Sequence, residues 1–241
     1  MWIWGEPMQK NALITGCAKG IGREIALDLA RSGYNIIGTY NISEKEINEL
    51  KNKVETIGVN FISYKLDISS EENLNEVCND ILIKYSKIDV LVNNAALALD
   101  NDFLHKTKEE FMKVLEVNLV GPFLLIQKLY TLINNSIIIN ISYTDGINTY
   151  SKLSMDYSAS KAGLINLTKA LALELTNSKV YALCPNWVDT EAIREMSPDY
   201  LNEEMNRIGQ KKLINPKDVS GKLIEIIESD LITGSIIVME D

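Results

Sequence analysis

Short apolar runs alternate along this chain with longer stretches whose apolar residues recur at helical spacing. Ala12-Leu13-Ile14 reads as a strand, and Ile21 to Ala30 follows with Ile21, Ile25 and Leu29 on one helical face. The pattern repeats with a strand at Tyr34 to Gly38, a helix at Glu44 to Ile57 and a strand at Val59 to Leu66. Glu71 to Tyr85 predicts a helix that gathers Leu74, Val77, Cys78 and Ile81 on one side. Val90 to Val92 is a fourth strand. Lys108 to Leu132 reads as one long helix, in which Pro122 predicts a bend because proline cannot donate to the preceding turn. Ile137 to Ile141 is apolar except for Asn140, as in a strand covered on both faces. A helix at Tyr157 to Leu175, a strand at Val180 to Leu183, a helix at Val219 to Glu228 and a strand at Ser235 to Met239 complete the series.

Strands separated by helices pair in parallel through right-handed crossovers. The expected fold is therefore α/β: a single-domain Rossmann fold with a doubly wound parallel sheet of about seven strands. No break in composition divides the chain, so residues 8–241 read as one domain. The opening MWIWGEP at residues 1–7 fits none of the elements and reads as an extension of unknown role, with Met8 as an alternative start. It lacks the apolar core and small-residue cleavage site of a signal peptide. In doubly wound sheets ligands bind beyond the carboxyl ends of the strands, where strand order reverses. Functional residues are expected after strands one, four, five and six.

Charge and composition narrow the partners. With 33 acidic against 24 basic residues in 241, the net charge is −9, the wrong sign for displacing phosphate counterions, so no nucleic-acid partner is expected. No apolar run reaches the roughly 20 residues that span a bilayer, so no membrane partner is expected. Cys17, Cys78 and Cys184 are few, odd in number and widely spaced, which fits a reducing, cytoplasmic setting and offers no metal-ligand spacing. The single histidine, His105, lies in a polar stretch and reads as a loop residue. That leaves little for a serine-histidine hydrolase.

Strand one runs into Thr15-Gly16-Cys17-Ala18-Lys19-Gly20-Ile21-Gly22. Gly16 permits the tight turn, Gly20 lets the backbone approach a pyrophosphate, and Gly22 lets the helix pack closely on the sheet. The helix start adds unpaired N–H groups and partial positive charge. Between a strand and a helix, this pattern reads as a dinucleotide cradle.

The spacing resembles the T-G-x-x-x-G-x-G hallmark of the short-chain dehydrogenase/reductase family, classical branch. The resemblance covers residues 8–241 and is nearest to the 3-oxoacyl-carrier-protein reductase group. It implies a nicotinamide cofactor held by Gly16, Lys19, Gly20, Ile21 and Gly22 of the loop. Tyr40 and Asn41 after strand two, and Asp67 with Ile68 after strand three, extend that site. Asn94 and Ala95 follow in Asn93-Asn94-Ala95-Ala96, which resembles the family's N-N-A-G with alanine at the last position. Pro185, Val188 and Thr190 in Cys184-Pro185-Asn186-Trp187-Val188-Asp189-Thr190 complete it, with Asn186 replacing the family's glycine. Asparagine tolerates positive φ, so the turn there is expected to survive. Strand two ends without a carboxylate for the ribose diol, and Lys19 can meet a 2′-phosphate. Both favour NADP, with NAD left open by nearby Glu44.

The most informative segment is Tyr157-Ser158-Ala159-Ser160-Lys161. Residues i and i+4 share a helical face, so the Tyr157 phenol and the Lys161 ammonium converge. A phenol with an ordinary pKa of about 10 is a poor proton-transfer group at neutral pH, and a cation beside it lowers that value. This resembles the family's acid-base pair, with Lys161 also holding the ribose. Asn118 in Val117-Asn118-Leu119 matches the family's asparagine, which shapes a helix so that a water links the lysine to solvent. The family's catalytic serine falls in Asn140-Ile141-Ser142-Tyr143-Thr144-Asp145-Gly146. Aligning Asn140 and Gly146 places Tyr143 in the slot. Counting back from Tyr157 by the family's usual gap favours Thr144, and Ser142 is a third candidate.

Glu191 to Leu213 reads as a mobile, acidic substrate lid, with Arg194 and Arg207 isolated and solvated. The resulting expectation is an oxidoreductase that moves a hydride between nicotinamide and a carbonyl or secondary alcohol of a small molecule. It is expected to assemble as a homodimer or homotetramer through the long fourth and fifth helices. The alternative is a dinucleotide-binding sensor or scaffold impaired by the altered serine slot.

Overall fold

A computed structural model describes residues 10–149 and 151–240. The extension at residues 1–7 and Met8 lie outside the described residues. Seven parallel strands form one sheet: β1 (Asn11–Ile14), β2 (Asn35–Tyr40), β3 (Phe61–Lys65), β4 (Val90–Asn93), β5 (Ile137–Ile141), β6 (Lys179–Pro185) and β7 (Ile236–Met239). Their order is β3-β2-β1-β4-β5-β6-β7. Strand order reverses between β1 and β4, where Ala12, Leu13 and Ile14 pair with Val90, Leu91 and Val92. The crevice expected of such a sheet opens there.

Alternation along the strands divides the core in two. Ala12, Ile14 and Ile36 face one layer, formed with α1 (Gly20–Arg31), α2 (Glu44–Ile57) and α9 (Pro216–Glu228). Leu13, Ile37 and Leu91 face the other, with α3 (Glu71–Lys84), α5 (Gly121–Lys128) and α6 (Met155–Glu174). The polar exception in β5 is accounted for. The Asn140 Oδ1 accepts from Asn93 at 2.8 Å, and its amide donates to Thr168 on α6 at 2.9 Å. Thr168 in turn donates to the Leu164 carbonyl. A buried polar side chain without such partners would cost free energy.

The long helix differs from its sequence pattern. It divides into α4 (Lys108–Leu115), a π-helical turn at Glu116–Val120 and α5, with a 3-10 turn at Tyr130–Leu132. The irregularity lies before Pro122 rather than at it. Pro122 sits in the first turn of α5, where its missing N–H matters least. It has no N–H to offer the Asn118 carbonyl four residues back, and the wider turn accommodates that gap. After β6 the chain forms two short helices, α7 (Glu191–Arg194) and α8 (Pro198–Ile208).

Candidate active site

The glycine loop forms as its residue types require. Gly16 and Gly20 have φ of +64° and +54°, a region that side chains with a Cβ disfavour. Gly22 does not line the cleft. A Cβ there would lie 2.5 Å from the Asn94 amide nitrogen and 2.7 Å from the Gly16 carbonyl, so its role is close packing. α1 begins at Gly20 with no acidic residue in its first turn, leaving its opening amides without a side-chain acceptor of their own. The Thr15 hydroxyl accepts from the amides of Asn94 and Ala95 at 2.9 and 3.0 Å. The Asn94 side chain donates to the carbonyls of Thr15 and Gly16. The segment after β4 is thereby tied to the loop after β1.

A cleft of about 570 Å³ runs from this loop along the strand ends. Gly16, Lys19, Gly20, Ile21, Tyr40, Asn41, Asp67, Ile68, Asn94, Ala95 and Thr190 all line it. Lys19 ion-pairs with Glu46 at 3.0 Å, a partner on the first turn of α2 that the sequence reading did not single out. Asp67 is not the cap of α3, since Ser70 takes that place by accepting from Asn73. Hydrogen bonds from Ser69 hold the Asp67 carboxyl below its ordinary value. Thr39 was also missed: its hydroxyl accepts from the Gly16 amide at 3.3 Å. A small polar residue inside a buried strand was the available signal.

A second cavity of about 300 Å³ adjoins the first and shares Ile21, Asn94 and Thr190 with it. Tyr157, Lys161, Tyr143, Pro185 and Val188 line it. Tyr157 and Lys161 project from one face of α6, and the Lys161 Nζ lies 5.3 Å from the Tyr157 ring centre. The ammonium donates to the Ile141 carbonyl at 2.9 Å. The electrostatics depart from the expected pull of lysine on tyrosine. Loss of water around the Tyr157 hydroxyl, with the Asp145 carboxylate second, pushes it above its ordinary value. Burial brings Lys161 down to about 8. Asn118 is buried away from this cavity. Its Oδ1 accepts from the Leu97 amide at 2.8 Å, and its Nδ2 donates to the Leu97 carbonyl and to the Ser160 hydroxyl.

The three hydroxyls competing for the serine slot have different surroundings. Ser142 donates to the Lys161 carbonyl at 2.9 Å, and Thr144 donates to the Asn186 side chain. Tyr143 lines the cavity edge-on to both Tyr157 and Trp187, with ring centres 5.9 and 5.8 Å apart, and its buried hydroxyl has no hydrogen-bond partner among the described residues. Asn186 does not use the left-handed conformation expected of it, since Asn135 alone among described non-glycine residues has positive φ. Hydrogen bonds secure the turn instead, with the Asn186 amide donating to the Met239 carbonyl and its side chain accepting from Thr144.

The segment after Thr190 is less free than its polarity implies. Gln210 is buried, accepts from the Trp187 amide at 3.0 Å and donates to the Trp187 carbonyl at 2.9 Å. Arg194 and Arg207 are not isolated. Arg194 pairs with Asp189 and Arg207 with Glu204, each at 2.7 Å. His105 is exposed and bonded to Asp102. Among the described residues, no cluster of side chains is arranged to hold a metal, and no helix is long and apolar enough to cross a membrane.

Comparison with known proteins follows the same lines. The family model described as short chain dehydrogenase matches residues 10–201. A curated 3-oxoacyl-[acyl-carrier-protein] reductase FabG of Staphylococcus epidermidis is 30% identical over 238 residues, covering 95% of this chain and 97% of that protein. The enzyme of the same name from Aquifex aeolicus is 32% identical over 235 residues, covering 95% of this chain and 94% of that protein. Among solved structures, a dehydrogenase/reductase from Sinorhizobium meliloti superposes with a TM-score of 0.88 at 26% identity, covering 95% of this chain and 93% of that one. A Burkholderia cenocepacia short chain dehydrogenase in complex with NADP superposes with a TM-score of 0.88 at 23% identity over 98% of each chain, a likeness of fold.

Proposed function

The chain belongs to the short-chain dehydrogenase family, NAD(P)-dependent oxidoreductases, and on that premise we propose that it interconverts a carbonyl and a secondary alcohol of a small molecule, preferring NADP. The 3-oxoacyl thioesters named for its curated relatives are the first compounds to try. The observation that carries the reading is that Tyr157, Lys161 and Tyr143, whose buried hydroxyl is unpaired among the described residues, line one cavity adjoining a glycine-built cleft. The cleft fits a dinucleotide. Its floor is backbone where a Cβ would collide, and Gly16, Gly20, Ile21 and the residues after β4 would hold the diphosphate and adenosine. Lys19, Tyr40 and Asn41 would meet the 2′-phosphate, while Pro185, Val188 and Thr190 would border the nicotinamide end. When bound, the nicotinamide supplies or takes up the hydride.

The remaining work falls to this chain. Tyr143 donates a hydrogen bond to the substrate oxygen and orients it. Tyr157 gives that oxygen a proton in reduction, or removes one in oxidation. Lys161 holds positive charge beside the ring and a donor toward the ribose, favouring the phenolate as the proton leaves. Asn118 positions this group through Ser160 and Leu97. Its backbone carbonyl, which Pro122 has no N–H to meet, is the acceptor that a proton-relay water would use.

Cytoplasmic residence is part of the proposal, supported by three buried cysteines without disulfides. So is a homodimer or homotetramer. Exposed Met112, Val120, Phe123 and Tyr130 along the α4–α5 segment, with Leu173 on α6, supply the apolar faces. A second reading, a nucleotide-binding sensor, draws its support from Tyr143 in the serine slot. The intact Tyr157 and Lys161 weigh against it.

A panel of ketones, acyl thioesters and sugars with NADPH and NADH, followed at the absorbance of the reduced nicotinamide, tests the class. Tyr157→Phe is expected to abolish turnover while leaving nucleotide affinity nearly intact. Unchanged turnover in that variant overturns the mechanism.

A further inference from the structure

The carboxylate of Asp145 has no part in the proton-transfer scheme, yet it lines the same cavity. Asp145 is 8% exposed and sits two residues beyond Tyr143, in the 3-10 turn Thr144–Gly146. Its Oδ1 accepts from the Thr149 hydroxyl, and its Oδ2 accepts from the Ser158 hydroxyl over a longer 3.3 Å. Two bonds leave part of its acceptor capacity unused, since an ionised carboxylate offers about four lone-pair sites. Desolvation pushes this carboxyl above its ordinary value. The Thr149 hydroxyl, and Arg207 with Glu204 on α8, face the same group with opposing effects.

Carboxylates outnumber cations around it. Among the described residues that line the cavity, Lys161 is the one cation, and its ammonium is held by the Ile141 carbonyl. Asp100 lines the same cavity. The nearby basic side chains are already committed: Lys106 to Asp156 at 3.0 Å, Arg194 to Asp189 and Arg207 to Glu204. An anionic group brought here would meet two carboxylates against one ammonium, which the proposed mechanism assigns to the ribose and the Tyr157 ring. A hydroxyl or ammonium would meet a partly unsatisfied acceptor. Trp187, Ile193 and Met196 add apolar surface to the same cavity.

We propose that Asp145 is the specificity-determining residue of this cavity. It accepts a hydrogen bond from a hydroxyl or ammonium group next to the reacting carbon, so that the substrate is a hydroxylated or amino-bearing ketone or alcohol and not an anionic one. This rests on the carbonyl–alcohol reading above. The acceptor lies on the segment that carries Tyr143, so the distance between the anchored group and the reacting oxygen is set by one short stretch of backbone.

Three isosteric ketones, hydroxyacetone, aminoacetone and butanone, test it, with pyruvate as the anionic fourth. The kcat/KM of each is measured with NADPH. Binding is followed separately by tryptophan fluorescence, to which Trp187 in the cavity wall contributes. The intact protein is expected to prefer hydroxyacetone or aminoacetone over butanone by about tenfold or more, the scale of one hydrogen bond to a charged group. Pyruvate is expected to be poorest. Asp145→Leu is expected to erase the preference and improve butanone relative to hydroxyacetone. Asp145→Asn, which keeps the size and a polar group for Thr149 and Ser158 and so serves if the leucine variant fails to fold, is expected to keep part of the hydroxyacetone preference and lose that for aminoacetone. Turnover with no preference, or a preference that survives both substitutions in turnover and in binding, overturns the role of Asp145 and leaves the carbonyl reading standing. Failure of all four ketones to bind or react, together with failure of the wider panel, overturns both.

Discussion

Replacing Tyr143 by phenylalanine removes one oxygen and keeps the ring, which separates two consequences that usually travel together. The hydroxyl is buried with no partner among the described residues, and the ring is packed edge-on against Tyr157 and Trp187. A buried polar group left unsatisfied costs about 1–3 kcal/mol, so its removal is expected to stabilise the nucleotide-free protein. Taking the low end, about 1 kcal/mol corresponds to a rise in Tm of roughly 2–4 °C for a domain of this size. Catalysis moves the other way. If the hydroxyl donates to the substrate oxygen as charge builds there, losing about 1.5–3 kcal/mol lowers kcat/KM by roughly 10- to 100-fold. A thermal melt and a steady-state assay on the same preparation measure both. Tyr143→Ser restores a short hydroxyl but empties the ring's volume, so it is expected to lose stability whatever it does to turnover. A Tyr143→Phe protein that melts lower and turns over at the wild-type rate refutes the reasoning, because the hydroxyl would then be satisfied within the fold and idle in the reaction.

Other outcomes follow from the same geometry. The Lys161 ammonium is brought down to about 8 by burial, below its unfolded value, so between that point and about pH 10.4 the unfolded chain holds more protons than the folded one. Its contribution to stability therefore improves as pH rises through that window. Lys161→Met is expected to be inactive yet relatively more stable at pH 7, with the advantage shrinking toward pH 10 in a series of urea melts. Glu46→Gln releases Lys19 from a half-exposed ion pair, and a few-fold tightening of NADPH over NADH is expected in fluorescence titrations. An unchanged ratio would remove Lys19 from the phosphate site. Gly22→Ala places a methyl 2.5 Å from the Asn94 amide and 2.7 Å from the Gly16 carbonyl. It is expected to cost about 1–3 kcal/mol in chemical denaturation and to weaken nucleotide binding.

The alternation of strands and helices was legible because the strands are short, largely apolar runs bounded by turns, and parallel pairing followed from the crossovers between them. The glycine loop and the Tyr157–Lys161 pair were legible for a related reason: local spacing fixes which side chains share a face. What escaped depends on contacts between segments distant in sequence. Glu46 lies far from Lys19 along the chain, whereas Asp189 and Glu204 lie only five and three residues from Arg194 and Arg207, two ion pairs that local spacing could have shown. The rivalry among Ser142, Tyr143 and Thr144 has the same character. Strand alternation separates Tyr143 from the other two, but only their partners, the Lys161 carbonyl and Asn186, show which hydroxyls are occupied. Proline placement alone could not reveal the π-helical turn, because a wider turn is a response to packing around Asn118 and to the missing donor together.

At Gly146 the turn that follows Tyr143 presses on the helix bearing Tyr157 and Lys161 so closely that a Cβ would lie 2.7 Å from the Ala162 nitrogen and 2.8 Å from the Lys161 carbonyl carbon. Two stretches of chain are in this way fused, backbone to backbone, into a single block. The helices after Thr190 stand outside that block, and Gln210 just beyond them bonds to Trp187 in the segment after β6. Substitutions at Ile193 or Met196 can thus reshape the outer part of the cavity without disturbing the spacing of the groups that handle the proton.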